Sequence, residues 1–563
     1  MKKKWWHEAI IYQVYLRSFK DSNNDGIGDL NGVTERLDYL SDLGVNTIWI
    51  SPHYDSPMDD NGYDVRDFYK VSKDYGTIDD FKSLLKAAHT QGIKVIIDLI
   101  LNHTSDEHPW FEAAKDPNHP EHEKYHDFYI WHKPKYDSDG NRMRPTRWVS
   151  WFGGPVWEYN PPTDSYYLHI FSKKMPDLNW RNPRMRKELK GMIQWWINLG
   201  VDGFRIDASN HLEKNWDFPD GKPGQEHFSS LPRHHEYLED LGKTVFNPNN
   251  MLTIGEAGGA SREEALKYAG ADSNEFDLLI QFEHCWVDTD DAETLTPGKW
   301  STGIIDLPKI KKSFDHWIKV FKGEGFNVLY WANHDMPRIV SHYGDDSDRH
   351  RARSAKMLAY TLYLLPGVPI VYYGEEIGMT NVDYEKLSDF RDVEVFTEYE
   401  NFINNGATHE TAMQALRDRS RDSARSPMQW DDSTYAGFSE TKPWMKVNKN
   451  KTSINVASQK DDEQSLLQTY KQLLSIRKEE ALHYATVKFM DLEHPQTFNY
   501  RVKGKTHEFL VLANFKQAPL TMRPDADLSD YELLFHNMGK TPAHVTHFDS
   551  YEARIYRRRL HQP

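Results

Sequence analysis

Arg205 and Asp207 stand two apart inside an otherwise apolar run, VDGFRIDASN (201–210). Residues two apart on a strand share a face, so guanidinium and carboxylate would enter the same interior. A buried ion pair is a poor route to stability, which points to chemistry. Other polar side chains fall at matching places: GIKVIIDLILNH (92–103) carries Asp98 and ends in Asn102 and His103. MLTIGEAG (251–258) holds Glu256, and NVLYWANHD (327–335) ends in Asn333, His334 and Asp335. Glycoside hydrolysis asks for such a set, with two carboxyl groups flanking an oxocarbenium-like centre, one as nucleophile or base and one as acid. The nucleophile must stay ionised, which Arg205 favours at Asp207. The acid must hold its proton near neutrality, which burial and neighbouring negative charge favour at Glu256. Asp98 reads as a structural acceptor.

These residues need a scaffold that carries distant segments to one rim. Apolar, β-rich runs recur at 9–19, 45–54, 92–103, 201–210, 251–258, 276–284, 327–335 and 368–378. Helical patterns separate them. Val33, Leu37, Leu40 and Leu43 keep helical spacing before Gly44, and Thr77 can cap a stripe of Phe81, Leu84, Leu85 and Ala88. Asn182-Pro183 opens a further helix that Gly200 closes. Strands apolar on both faces, alternating with helices, predict a parallel sheet. Eight such units predict an α/β fold, a closed (β/α)8 TIM barrel, whose strand C-termini face the active site. Two regions break the alternation. Residues 104–175, rich in His, Pro, Trp and Asp with no clear helix, exceed an ordinary loop and predict a small domain B inserted after strand 3. Residues 481–563 turn to short alternating runs and predict a C-terminal antiparallel β-sandwich, leaving 1–103 and 176–480 to the barrel.

Composition narrows the partners. Sixty-nine Lys and Arg against 85 Asp and Glu give a net charge of −16 over 563 residues, which argues against nucleic acid or an anionic membrane. Aromatic residues make up 13%, which suits ring-shaped ligands and a large aromatic core alike. The single Cys285 excludes an internal disulfide. The opening MKKKWWHEAIIYQVYLRSF lacks a continuous apolar stretch before Arg17, and no run approaches the roughly 18 apolar residues that span a bilayer. A soluble cytoplasmic protein, monomeric or weakly oligomeric, is the expectation. Zinc is the competing reading of the histidines, but there is no H-E-x-x-H and no close Cys/His spacing.

DLILNH (98–103), GFRID (203–207), GE (255–256) and NHD (333–335), in that order, resemble the four main sequence regions of glycoside hydrolase family 13, the α-amylase family. MPDLNW (175–180), SRDSARSPMQW (420–430) and GEEIGMTN (374–381) are similar to its oligo-1,6-glucosidase and α-glucosidase group. The resemblance implies Asp207 as nucleophile, Glu256 as acid/base, and Asp335 as the carboxylate gripping sugar hydroxyls in the transition state. It implies that His103, Arg205 and His334 hold the same glucosyl unit. Asp60 and Tyr63 would close the pocket, Arg421 would face Asp60 and enforce exo action, and Phe152 and Phe171 would be walls. The implied outcome is retention through a covalent glucosyl-enzyme, attacked by water or by another sugar, with small oligosaccharides as substrates. A non-catalytic, transporter-associated relative of the same fold is the other class; those chains carry a membrane segment and an incomplete catalytic set.

DSNNDGIGD (21–29) places Asp21, Asn23 and Asp25 at alternate positions before Gly26, as in the first half of an EF-hand loop without its twelfth-position Glu. The group resemblance implies a structural Ca²⁺ or Mg²⁺ there, with the Ile27 carbonyl and Asp29 as further ligands; catalysis itself would need no cofactor. Bond preference is read from departures within the group. Met175 replaces the usual Gln, and Met336 follows NHD. Val after the nucleophile accompanies α-1,6 preference, Ala or Thr α-1,4. Ala208, leaving room for a differently angled aglycone, tips the expectation to an α-1,4-acting α-glucosidase for maltose and malto-oligosaccharides. Isomaltose hydrolysis is the alternative. Sucrose isomerisation is disfavoured, since no RLDRD-like segment lies between the sixth and seventh strands.

Overall fold

The computed structural model describes residues 4–289, 295–296, 298–524 and 527–560. All eight expected runs form strands: β1 (Ile11–Val14), β2 (Thr47–Ile50), β3 (Lys94–Ile100), β4 (Gly203–Asp207), β5 (Leu252–Glu256), β6 (Leu278–Ile280), β7 (Val328–Leu329) and β8 (Val368–Tyr372). They pair in parallel in the spatial order 6-5-4-3-2-1-8-7, and β6 and β7 lie alongside each other. The result is a nearly closed barrel with β4 at its heart. Arg205 sits in register with Asp98 on one side and Ile254 on the other. At the start of β4, a side chain on Gly203 would meet the Leu252 carbonyl at 2.2 Å, so close strand approach demands glycine there.

Apolar side chains fill the barrel interior below the polar rim. Ile11, Trp49, Ile96, Ile254, Leu278, Val328 and Ile370 form this inner layer, while a larger cluster joins the outer strand faces to the helices. The helix ends follow the sequence. Thr77 accepts from the Asp80 N–H and heads Ile78–Thr90; Asn182 caps Pro183–Leu199, which Gly200 closes at φ 111°. The stripe from Val33 to Leu43 is instead two helices, Leu30–Glu35 and Leu37–Leu43, because Arg36 leaves helical geometry.

The segment after β3 holds a three-stranded antiparallel sheet (Trp131–His132, Ser165–Leu168, Trp157–Asn160). It also holds a helix that periodicity did not reveal, Pro109–Lys115, started by Pro109 and the His108 side chain. Seven residues are too few for an amphipathic period to declare itself. Beyond β8, helices Val393–Asn404 and His409–Arg419 enclose a separate core with Trp300, Phe402 and Leu416. The C-terminal part is a five-stranded antiparallel sheet, Thr486–Met490, Asn499–Lys503, His507–Ala513, Ala553–Arg559 and Glu532–His536 in spatial order. The ribbon of Leu520–Thr521 and His547–Phe548 covers it through Leu510, Leu512, Phe548 and Tyr556. Among the described residues no helix is long and apolar enough to cross a membrane.

Candidate active site

Three strands deliver charge to one point. The Arg205 guanidinium, from β4, donates to Asp98 on β3 (2.7 Å), to Asp207 two residues on (2.8 Å), and to Glu256 at the end of β5. Asp98 is fully buried and also accepts from the Trp49 indole at 2.8 Å, the structural acceptor expected of it. One cation thus spans both candidate reacting carboxylates, the two groups that retaining chemistry places about 5–5.5 Å apart. After Asp207 the chain turns sharply, with Ala208 left-handed at φ 47°. Its N–H points at the Glu256 carboxylate, 3.3 Å away. The Ser209 hydroxyl donates to the Glu256 carbonyl at 2.6 Å.

Beside this cluster lies a cavity of about 800 Å³ whose lining includes Asp60, Tyr63, His103, Phe152, Phe171, Asp207, Ala208, Glu256, His334, Asp335 and Arg421. The expected pocket residues therefore meet in one place, with Arg205 beneath them. The loop bearing Asp60 and Tyr63 is shaped by Asp64, whose carboxylate accepts the N–H groups of Asp59 and Asp60. Tyr63 hydroxyl meets His334 Nε2 at 2.7 Å. Gln13, from β1, donates to His334 Nδ1 at 2.8 Å, which leaves the imidazole proton on Nε2. His103 Nε2 lies 3.2 Å from the Tyr63 carbonyl, which can only accept, so that nitrogen carries the proton. Phe152 and Phe171 pack at 5.5 Å.

Arg421 does face Asp60, at 3.3 Å. Its stronger bond is a fork onto Asp392, at 2.5 and 2.7 Å, and it also reaches Asp335 at 3.0 Å. Arg425 adds a second donor to Asp335 at 3.2 Å. Asp392, Arg425 and Gln13 were not singled out from sequence. Arg425 lay in plain view within SRDSARSPMQW; Asp392 caps the helix Val393–Asn404 by accepting the Glu394 N–H, and only the fold brings it to Arg421.

The electrostatics divide the carboxylates. Burial pushes Glu256 up to about 7; Arg205 opposes this, and the negative charges of Asp207 and Asp335 add to it. Asp207 is pushed up to about 6, again by burial, with Arg205 pulling it back. Asp335 goes the other way: burial would raise it, but His334, Arg421 and Arg425 together hold it well below the usual range. Burial depresses His103 and His334 to about 3, so both imidazoles are neutral. The site thus has one proton-holding carboxyl, one poised carboxylate and one permanently ionised carboxylate.

The 21–29 loop is a chain of Asx turns. Asp21 accepts the N–H groups of Asn23, Asn24 and Gly26, Asn23 accepts that of Asp25, and Asp25 that of Ile27. Asp29 binds back to Ser22 and caps the helix that follows. Among the described residues no three His, Cys, Asp or Glu side chains converge as a ligand set. The loop's donors are all oxygen, amide and carbonyl oxygens included, which suits only a hard cation such as Ca²⁺ or Mg²⁺.

The family profile described as "Alpha amylase, catalytic domain" matches residues 13–485. The oligo-1,6-glucosidase of Parageobacillus thermoglucosidasius is 40% identical, with all of both chains covered. An α-glucosidase of Pediococcus pentosaceus is 44% identical, covering 84% of this chain and 85% of its own. The crystal structure of isomaltulose synthase from Erwinia rhapontici NX5 superposes with a TM-score of 0.91 at 35% identity, covering 99% of each chain.

Proposed function

The chain belongs to the α-amylase family of glycoside hydrolases, and from that premise we propose a retaining, exo-acting α-glucosidase that takes single glucosyl units from short α-1,6-linked glucosides. The observation that carries the reading is the Arg205 guanidinium gripping Asp207 and Glu256 together at a pocket bounded by the Asp60–Arg421 pair. Asp207 attacks the anomeric carbon while Glu256 gives its proton to the glycosidic oxygen. Water, or a second sugar, then loses a proton to Glu256 and displaces Asp207, restoring the α configuration. Asp335 stays ionised throughout and accepts sugar hydroxyls. Arg421 and Asp60 block the far side, so only a chain end fits. Phe152 and Phe171 supply apolar wall, and His103 and neutral His334 orient hydroxyls.

The bond is the finer question. Relatives named oligo-1,6-glucosidase span the full chain at 40–41% identity, and they favour α-1,6 over the α-1,4 preference expected from Ala208. The second reading, α-1,4, keeps Ala208 and the relative named α-glucosidase in its favour. Initial rates on isomaltose, maltose and sucrose decide between them. Isomaltose should lead; maltose ahead by tenfold would overturn the bond assignment, and sucrose isomerised without net hydrolysis would overturn the hydrolase.

A pH profile follows from the carboxyl pair. Glu256 must be protonated to donate, so kcat/KM falls as pH rises through about 7. Asp207 must be ionised to attack, so kcat/KM falls as pH drops through about 6. A narrow bell is expected, whose two limbs belong to the coupled pair. Glu256→Gln should erase the alkaline limb; its persistence would assign that limb elsewhere.

The 21–29 loop is read as a structural Ca²⁺ or Mg²⁺ site held by Asp21, Asn23, Asp25, the Ile27 carbonyl and Asp29. Bound there, the ion would stiffen the loop and supply no step of the hydrolysis.

A further inference from the structure

Residues 208 and 209 do more than follow the nucleophile. Ala208 holds a left-handed backbone, φ 47° and ψ 38°, which a non-glycine residue keeps only when its surroundings enforce it. Two bonds cross from this turn to residue 256: the Ala208 N–H to the carboxylate at 3.3 Å, and the Ser209 hydroxyl to the carbonyl at 2.6 Å. Ser209 is fully buried. Its partner carbonyl lies at the end of β5, where parallel pairing to Ile280 is the last registered contact. Beyond it only one longer backbone bond follows, from the Ala257 N–H to the Ile280 carbonyl at 3.3 Å, so the direction in which Glu256 leaves the sheet depends on what the adjoining turn supplies.

We propose that Ser209 is a positioning residue for the general acid: its hydroxyl ties the end of β5 to the strained turn, and so aims the Glu256 carboxyl at the glycosidic oxygen. Without that tie, the turn relaxes toward an ordinary backbone and carries the Ala208 N–H off the carboxylate. Glu256 then keeps its chemistry but loses its aim. The side chain at 208 acts through this same turn, since a β-branched residue resists φ 47°. The proposal rests on the reading of Glu256 as acid.

Leaving-group dependence separates poor aim from general damage. Isomaltose needs a proton delivered to its departing oxygen; α-glucosyl fluoride departs without one. Ser209→Ala is expected to lower kcat/KM on isomaltose by about 10- to 100-fold, part of the 10²–10⁴ that general acid catalysis is worth. On α-glucosyl fluoride it should stay within about threefold of the parent, and Ser209→Thr should recover most of the isomaltose loss by restoring the hydroxyl. Equal losses on both substrates, or none on either, would overturn the proposal. Glu256→Gln is run alongside. If it too fails to discriminate between the substrates, the acid assignment itself falls; if it discriminates and Ser209→Ala does not, only the role of Ser209 falls.

Discussion

Asp207→Ala is expected to lower turnover of isomaltose and maltose by about 10⁴-fold or more, the scale on which loss of a reacting group is felt. The protein should nevertheless stay folded. Arg205 keeps its bond to buried Asp98 at 2.7 Å, so the variant leaves a paired guanidinium rather than a stranded charge. Removing one of several crowded carboxylates also relieves repulsion, since Asp207 raises the pKa of Glu256. Stereochemistry gives a sharper test than rate. Azide placed in the gap left by Asp207→Ala attacks from the nucleophile's side and yields β-glucosyl azide. In Glu256→Ala, azide instead attacks the glucosyl-enzyme from the opposite side and yields the α product. The two variants exchanging these products would reverse the roles of the two carboxyl groups. Undiminished activity in Asp207→Ala would remove the nucleophile assignment altogether.

That assignment was legible because a strand has period two. Arg205 and Asp207 declare a shared face within five letters, and Asp98 and Ile254 stand beside Arg205 in the parallel register. Eight apolar runs separated by amphipathic helices fixed the barrel in the same way, through burial on both faces. What escaped notice depends on long-range approach. Asp392 carries the firmest bond to Arg421, yet its local pattern marks only the start of the helix Val393–Asn404, and the approach of Arg421 comes from far along the chain. Gln13 reads in sequence as one polar residue in an apolar strand, and only its 2.8 Å contact shows that it sets the His334 tautomer. The backbone at Ala208 is invisible to composition altogether: alanine ordinarily avoids φ 47°, and nothing in its identity announces the turn. Sequence thus marked the candidate reacting groups, while the devices that hold them at angle and charge came from the fold.

Lys214 shows how far such a device can sit from the chemistry and still govern it. Its ammonium is buried, 3.0 Å from Asp177 and 2.9 Å from the Asn102 amide oxygen, and it also donates to the His211 carbonyl. Those three acceptors come from the return of the inserted segment, the end of β3 and the turn after β4. One internal cation therefore knots the three stretches that carry His103, Asp207 and the pocket wall. Lys214→Met is expected to cost about 3–5 kcal/mol, the usual result of stripping one partner from a buried pair, because Asp177, which burial already pushes up against the pull of Lys214, must then either stay charged without a counterion or take up a proton. The loss should appear as a lower denaturation midpoint. Adding Asp177→Asn should recover a substantial part, since the amide still accepts the Ile170 N–H without burying a lone charge. Activity reports separately on geometry. Asn102 contacts His103 at 3.2 Å, so both variants should bind the glucosyl unit more weakly even where the double variant regains stability. A Lys214→Met protein as stable as its parent would mean that water reaches Asp177, and the knot would then be loose rather than buried.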